Sequence, residues 1–223
     1  MSAIRRAMVL AAGRGTRLRP LTDTLPKPLI PVQGRPLIEW HLERLAAAGI
    51  GEVAINTSWL GDRLRAALGD GARLGVAITW FDEGPVPLEA AGGIVNALAF
   101  FGEEPFAVVN GDVFTDYALP PRAPAAGHLA HVVLVDNPPE HPRGDYAIEC
   151  GELRFEGPLR RTYAGIASYR PALFRGLGPG VRAWKPLIDA AVAAGRVTAE
   201  VHRGAWSDIG TPGRLAAANA PVR

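Results

Sequence analysis

Residues 10–32 read LAAGRGTRLRPLTDTLPKPLIPV, a stretch that combines glycines, prolines and basic residues. The apolar run at residues 7–10 leads into it and predicts a short buried β-strand. Gly13 and Gly15 follow, and glycines allow backbone N–H groups to approach an anion. Four cations lie on the same stretch: Arg14, Arg17, Arg19 and Lys27. A solvated basic loop is the alternative, but the position directly after a buried strand favours a phosphate-binding loop.

Two well-known phosphate-binding patterns do not match this loop. Gly13 and Gly15 could open the dinucleotide pattern G-x-G-x-x-G, but its third glycine position holds Leu18. The sequence G-x-x-x-x-G-K-[ST] does not occur anywhere in the chain. The prolines on either side of Lys27 instead predict a stiffened segment that holds the lysine in place at little ordering cost.

Lysine is rare in this chain, since two of the 24 basic residues, Lys27 and Lys185, are lysines. Where arginine is otherwise preferred, a lysine that persists indicates a need for a compact, movable ammonium group. We therefore expect a functional role for Lys27. Lys185 precedes a proline and also fits the start of a helix.

Composition excludes several classes of function. The 223 residues carry a formal charge of +2, so we expect no general binding of nucleic acid, and any anion site must be local. No apolar stretch reaches membrane-spanning length, and the run after Arg5 and Arg6 is too short for a signal peptide. The single cysteine, Cys150, cannot form an intrachain disulfide and fits a reducing compartment. We therefore expect a cytoplasmic protein that binds neither nucleic acid nor membranes.

The first half alternates between strand and helix patterns, which predicts an α/β fold with a Rossmann-like, mixed but mostly parallel sheet flanked by helices. The predicted strands are residues 7–10, 52–56, 76–81 and 106–109, and the predicted helices are residues 36–48, 60–68 and 93–101. Ligands of such sheets bind beyond the carboxyl ends of the strands. The glycine-containing loop and Asn110-Gly111-Asp112 should therefore face one crevice.

The second half is less regular. Residues 129–135 and 197–202 are predicted strands, whereas residues 146–149, 152–155 and 163–169 predict hairpin-like, antiparallel additions to the sheet. The predicted helices are residues 186–194 and 212–220. Without a repeat or a linker, the simplest organisation is a single domain over residues 1–223. We expect residues 1–120 to form a half of the nucleotide-binding type and residues 121–223 a more elaborated second half.

The stretch at residues 10–32 resembles the signature of the sugar-1-phosphate nucleotidyltransferases, also called nucleotide-sugar pyrophosphorylases. The matching residues are L-A-A-G-x-G-T-R-L-x-P-L-T, followed by P-K-P-L-x-P-V. The resemblance implies the fold of nucleotide-diphospho-sugar transferases and a loop that wraps the triphosphate of a nucleoside triphosphate (NTP). It places Arg17 and Lys27 where the family has its catalytic arginine and lysine. The nucleotide-binding residues implied are Ala11, Ala12, Gly13, Gly15, Thr16, Arg17, Lys27, Gly92, Gly93 and Asn110.

Two aspartates match family segments that hold a catalytic Mg²⁺. Asp112 lies in VVNGDVFTD and Asp208 in WSDIGTP. Mg²⁺ prefers oxygen ligands and few protein carboxylates, so a pair is sufficient when substrate phosphates complete the shell. Each aspartate by itself could instead be a turn or capping residue. With the loop, the pair predicts a magnesium-dependent enzyme.

The segments HPRGDYAIE and RTYAGIASYRP resemble family segments that contact the sugar. They supply the sugar-binding candidates, together with Asn110: Gly144, Asp145, Tyr163 and Gly165. The segment LEAAGGI lacks the threonine that the family usually has there, which leaves backbone contacts from Gly92 and Gly93 to the nucleotide.

The segments NTSWLGDRL and LVDNPPEHPRGDY resemble most the branch that transfers a uridylyl group from UTP to N-acetylmuramic acid 1-phosphate in peptidoglycan (cell-wall) recycling. Mannose-1-phosphate guanylyltransferases and glucose-1-phosphate thymidylyl- or uridylyltransferases share the same core motifs and remain alternatives. A glycosyltransferase should carry a D-x-D metal motif, which DVFTD is not. A non-catalytic nucleotide-binding module should lack Lys27 or one aspartate.

Overall fold

The computed structural model of the protein describes residues 4–220, and its centre is one mixed β-sheet. The strands of the described chain are β1 (Arg6–Leu10), β2 (Pro31–Val32), β3 (Arg35–Pro36), β4 (Glu52–Thr57), β5 (Ala77–Asp82), β6 (Phe106–Asn110), β7 (Val113–Thr115), β8 (Ala130–Val135), β9 (Tyr146–Glu149), β10 (Glu152–Arg154), β11 (Arg160–Tyr169), β12 (Val197–Val201) and β13 (Trp206–Asp208). Nine of them form the sheet, in the order β5-β4-β1-β6-β11-β8-β12-β10-β9.

The helices are short and mostly follow strands, as an α/β fold requires. They are α1 (Leu21–Thr24), α2 (Leu37–Ala47), α3 (Gly61–Leu68), α4 (Glu89–Asn96), α5 (Leu98–Phe101), α6 (Trp184–Ala193) and α7 (Pro212–Ala218). Within residues 4–220, none of them combines the length and the apolar character needed to cross a bilayer.

The strands β5, β4, β1 and β6 run parallel, and β11 joins them antiparallel to β6. Successive residues of a strand point to opposite faces, and both faces of this sheet are covered. On one face α2 and α3 pack on Ala7 and Val9 of β1, and on the other α4, α5 and α6 pack in the cluster that contains Met8. The parallel first half therefore presents the carboxyl ends of β1, β4 and β6 along one edge.

The parallel core agrees with the sequence pattern, and the second half contains the expected antiparallel additions. Two helices begin earlier than the periodicity predicts. Helix α4 starts at Glu89 rather than residue 93, and α6 starts at Trp184 rather than residue 186. Gly92 and Gly93 lie inside α4, and the atoms around them leave no room for larger side chains.

Two short ribbons, β2–β3 and β7–β13, were not predicted. The ribbon β7–β13 joins residues about 90 positions apart, with Asp208 opposite Val113 and Trp206 opposite Thr115. No local periodicity signals a three-residue strand that pairs over such a distance. This pairing places Asp208 close to Asp112, the other predicted metal ligand.

Candidate active site

A cavity of about 390 Å³ lies beyond the carboxyl ends of β1, β4 and β6. The loop after β1 forms one wall, and the turn after β6 forms another. Gly111 ties the two together, since its N–H donates to the carbonyl oxygen of Leu10 at 2.8 Å. A Cβ at position 111 would lie 2.7 Å from that oxygen, so only glycine permits this approach. The predicted nucleotide residues that line this first cavity are Ala11, Ala12, Gly13, Gly15, Lys27 and Asn110.

The backbone at Gly15 explains how the loop holds Lys27. Gly15 has φ of 65°, and a Cβ there would lie 3.3 Å from both Cβ and Cδ of Lys27. Its carbonyl accepts a hydrogen bond from Thr22 Oγ1 at 2.9 Å. The aliphatic stem of Lys27 therefore packs on the loop backbone, and its side chain is 11% exposed. The lysine is held by packing as well as by its neighbouring prolines.

Lys27 and the two aspartates meet at the junction of two cavities. The Nζ atom of Lys27 lies 2.6 Å from Oδ2 of Asp112. The N–H of Ile209 donates to the carbonyl oxygen of Asp112 at 2.7 Å, which brings Asp208 beside Asp112. Burial raises the pKa of Asp208, Arg214 opposes this, and the nearby charge of Asp112 raises it further. The structure thus places a cation and two interacting carboxylates at one point.

The donor set at this point fits a divalent cation of the hard, oxygen-binding class. Asp112 and Asp208 each leave about a third of the side chain exposed, so both carboxylates are accessible. Within residues 4–220, no cluster of three or more histidine, cysteine or acidic side chains forms a ready-made metal cage. Two carboxylates beside an anion-binding loop suit a metal that keeps most of its coordination for water and phosphate oxygens.

A second cavity, of about 290 Å³, opens on the other side of Asp112. The predicted residues Asn110, Asp145, Tyr163 and Gly165 line it, as do both aspartates of the metal pair. Asn110 and Asp112 border both cavities. A Cβ on Gly165 would lie 2.8 Å from Nδ2 of Asn110, so this glycine at the irregular centre of β11 lets the strand pass close to the shared wall.

Asp145 is fixed in the wall of the second cavity by its own hydrogen bonds. Its Oδ2 accepts from the N–H of Tyr163 at 2.8 Å, and its Oδ1 lies 3.1 Å from Nε2 of His141. Gly144 does not belong to the described lining of that cavity. It has φ of 60° and lies against Asn137 and the backbone of Arg161, so it shapes the loop that precedes Asp145.

Arg17 and Thr16 lie outside the described lining of both cavities. Thr16 is exposed. Arg17 is also exposed, and its Nη2 lies 3.0 Å from the position that a Cβ of Gly210 would take. Arg17 therefore approaches the Asp208 segment rather than the glycine-lined wall. The catalytic role of Arg17 remains a prediction. Its approach to Gly210 was not indicated by the sequence.

The comparisons with known proteins agree with this geometry. Residues 6–146, more than half of the chain, match the sequence profile of the family described as Nucleotidyl transferase. This chain belongs to the nucleotidyl transferase family. The prediction of a sugar-1-phosphate nucleotidyltransferase, made from the loop and the two aspartates, is confirmed. Enzymes of this family generally use a divalent metal ion.

Two curated relatives match this nucleotidyl transferase over nearly its full length. An N-acetylmuramate alpha-1-phosphate uridylyltransferase of Neisseria meningitidis is 46% identical over 96% of this chain and 97% of the relative. The protein of the same description from Caulobacter vibrioides is 34% identical over 96% of this chain and 95% of the relative. A crystal structure of a putative glucose-1-phosphate thymidylyltransferase from Bacillus anthracis superposes with a TM-score of 0.81, at 24% identity over 96% of this chain and 93% of that one. The predicted fold class is confirmed.

In the structure of this transferase, Gly92 and Gly93 lie outside the described lining of the first cavity. Both are buried within α4. The N–H of Gly92 donates to the carbonyl of Arg182 at 3.2 Å, so it is not available to a ligand. A Cβ on Gly93 would lie 2.6 Å from Oε1 of Glu83 and 2.8 Å from Nδ2 of Asn56. These glycines permit close packing, and the nucleotide contact expected of their backbone remains a prediction.

We expect Gly93→Ala to lower the free energy of unfolding by about 1–3 kcal/mol, because the added methyl overpacks against Asn56 and Glu83. Denaturant unfolding measures the change. Gly213→Ala is the matched control, since Gly213 is also helical and has no atom within 4 Å of the Cβ position. Alanine at 213 should leave stability unchanged or raise it slightly. Equal stability of the two variants would contradict the packing role of Gly93.

Sequence reasoning missed Asn56 and Glu83, which form the back of the first cavity. Asn56 accepts from the N–H of Ala11 at 2.7 Å and donates to Oε1 of Glu83 at 2.7 Å. Burial raises the pKa of Glu83, and hydrogen bonds from Asn56 and Leu88 oppose the rise. The sequence did contain one signal for Asn56. It lies near the carboxyl end of β4, as Asn110 lies at the carboxyl end of β6, and this is the edge at which ligands of such sheets bind. Arg14 also lines the cavity, and its Cζ atom lies 4.2 Å from the centre of the Trp59 ring.

Proposed function

We propose that this enzyme transfers a uridylyl group from UTP to N-acetylmuramic acid 1-phosphate, giving the UDP-sugar and pyrophosphate. One observation carries the catalytic proposal: two cavities meet at Lys27 and Asp112, so two phosphates can face each other across one lysine. The choice of substrates is supported by 46% identity to the Neisseria meningitidis relative. We place this reaction in the cytoplasm, which the single cysteine favours.

We assign the first cavity to the nucleotide and the second to the sugar phosphate. The first is lined by residues between Leu10 and Asp112, and the second by residues between Asn110 and Arg214. This division supports a single domain of two halves, residues 1–120 for the nucleotide and residues 121–223 for the sugar. In the first half, backbone amides of Gly13 and Gly15 would face the triphosphate. In the second, Asn110, Asp145 and Tyr163 would orient the sugar.

We propose Mg²⁺ as the metal, held by Asp112 and Asp208. When bound, it would neutralise charge on the phosphate oxygens that meet there. The two carboxylates need no third protein ligand, since Mg²⁺ usually keeps waters and substrate phosphates in its shell.

Lys27 is assigned the main catalytic role among the side chains. The attacking group is an oxygen of the sugar phosphate, which is already ionised at neutral pH because its second pKa lies near 6. No general base is required. The obstacle is the repulsion between two anions, and the ammonium of Lys27 would offset it and stabilise the charge that develops on the α-phosphate of UTP. The packed stem of Lys27 would hold the ammonium in place while the two phosphates approach in line.

A substrate panel tests the proposed function. Pyrophosphate release is measured for UTP, GTP, dTTP and CTP, each with N-acetylmuramic acid, N-acetylglucosamine, glucose and mannose 1-phosphates. We expect the highest kcat/KM for UTP with N-acetylmuramic acid 1-phosphate, and no release without a sugar phosphate. A higher kcat/KM for GTP with the mannose phosphate, or for dTTP with the glucose phosphate, would overturn the substrate assignment.

A further inference from the structure

Arg214 is a cation of the second cavity that neither the sequence motifs nor the proposed mechanism uses. It lies in the first turn of α7, where its N–H donates to the capping hydroxyl of Thr211 at 3.4 Å. Its guanidinium forms ion pairs with Asp208 through Nη1 and with Glu140 through Nη2. The side chain is 20% exposed and borders the cavity. Arg214 thus bridges a proposed metal ligand and the loop that precedes Asp145.

The charges of the second cavity are unfavourable for a phosphate without Arg214. Its described lining contains four carboxylates: Asp112, Glu140, Asp145 and Asp208. The same lining holds one guanidinium, that of Arg214, and one imidazole, that of His141, which lies against Asp145. A sugar 1-phosphate carries between one and two negative charges at neutral pH. Besides Lys27 at the junction and the metal ion proposed for Asp112 and Asp208, Arg214 is the one guanidinium that the described lining of the second cavity offers to a phosphate.

Gly210 shows that Arg214 has a second guanidinium beside it. A Cβ at position 210 would lie 3.2 Å from Nη1 of Arg214 and 3.0 Å from Nη2 of Arg17. The two guanidinium groups therefore flank the backbone of Gly210. Arg17 makes no ion pair or hydrogen bond with another residue of the described chain, so its charge is uncompensated there. Arg214 borders the second cavity and Arg17 lies close to it beside Gly210, so the pair adds positive charge next to the cavity, to which a phosphate with several acceptor oxygens is suited.

We propose that Arg214 binds the phosphate of the sugar 1-phosphate, and that Asp208 and Glu140 hold it in position in the free protein. This inference rests on the proposed function. A guanidinium has five N–H donors, so Arg214 can keep Glu140 on one edge while the other edge turns from Asp208 to phosphate oxygens. Asp208 is then available to a divalent cation. Arg214 and the metal ion therefore compete for the carboxylate of Asp208 before the substrate binds.

Two measurements on Arg214→Met separate this role from a structural one. First, KM for the sugar 1-phosphate should rise about 10- to 100-fold, from the loss of charge-assisted hydrogen bonds, while KM for UTP changes less than about twofold. Second, Mn²⁺ should bind the substrate-free protein about threefold or more tightly, because a competing cation has left Asp208. Electron paramagnetic resonance of free Mn²⁺ measures the second effect without turnover.

The controls keep both results interpretable. Arg214→Lys retains a charge and should recover part of the sugar-phosphate KM. Arg175→Ala removes an exposed arginine paired with Glu103, away from both cavities, and should change neither measurement. If Arg214→Met leaves the sugar-phosphate KM unchanged, or weakens Mn²⁺ binding together with both KM values, the proposal is wrong.

The failure of this inference is distinct from the failure of the proposed function. The KM measurements on Arg214→Met use the sugar 1-phosphate that the unmodified enzyme prefers in the substrate panel. A different preferred sugar overturns the substrate assignment and leaves the Arg214 test intact. An enzyme that prefers N-acetylmuramic acid 1-phosphate but keeps its KM in Arg214→Met overturns the Arg214 assignment alone.

Discussion

Replacement of Lys27 by alanine is expected to lower kcat about a thousandfold, because a cation aimed at the reacting phosphates stabilises charge that develops only in the transition state. The measurement is pyrophosphate release at saturating UTP and sugar phosphate. The ammonium of Lys27 lies 2.6 Å from Oδ2 of Asp112, at the junction of the two cavities. Thermal unfolding should show that the variant is folded.

Lys27→Arg should also be poorly active, which tests geometry as well as charge. The stem of Lys27 packs on the backbone of Gly15, and a planar guanidinium is bulkier than an ammonium at the end of that stem. Lys185→Ala is the matched control, since Lys185 is the other lysine and forms an exposed pair with Asp189. Near-normal turnover in Lys27→Ala, or an equal loss in Lys185→Ala, would remove Lys27 from the catalytic role.

Asp208→Asn is expected to lower kcat at least about a hundredfold at a fixed metal concentration and to raise the concentration of Mg²⁺ needed for half-maximal rate. The substitution keeps the shape of the side chain but removes a charge from a site with two carboxylates. Asp112→Asn should behave in the same way. A Mg²⁺ titration of the initial rate measures both effects.

Asp116→Asn is the control for the aspartate substitutions. Asp116 lies four residues after Asp112, on the same segment, but it pairs with His202 at 2.8 Å and lines neither cavity in the described chain. Its substitution should leave the metal titration unchanged. If Asp208→Asn and Asp112→Asn retain the metal dependence of the unmodified enzyme, the two carboxylates are not the metal ligands.

The sequence predicted those parts of the site that depend on one local segment. The glycines, the prolines and Lys27 lie within residues 10–32, and the rules for strands, turns and phosphate loops operate at that range. Asn110 is the last residue of β6 and Asp112 lies two residues later, so the end of that predicted strand was enough to locate both. The parallel core was predictable for the same reason, because buried strands and amphipathic helices have distinct short periods.

The remaining features depend on contacts between distant residues. Asn56 contributes through its hydrogen bond to Ala11, 45 positions away. Arg214 acquires its position from Asp208 and Glu140, which no motif links. The start of α4 was misplaced because the sequence pattern put it at Gly93, whereas the helix already begins at Glu89. The close approach of Asn56, Glu83 and Gly180 explains why positions 92 and 93 hold glycine, and those contacts join residues that are distant in the sequence.

The pairing of β13 with β7 has a consequence for the order in which this enzyme gains activity during its synthesis. The residues that line the first cavity, from Leu10 to Asp112, are synthesised before Asp208 and Arg214. We expect a nascent chain that has not yet added β13 to lack one carboxylate of the proposed metal pair. Turnover should therefore begin only after β13 has paired with β7.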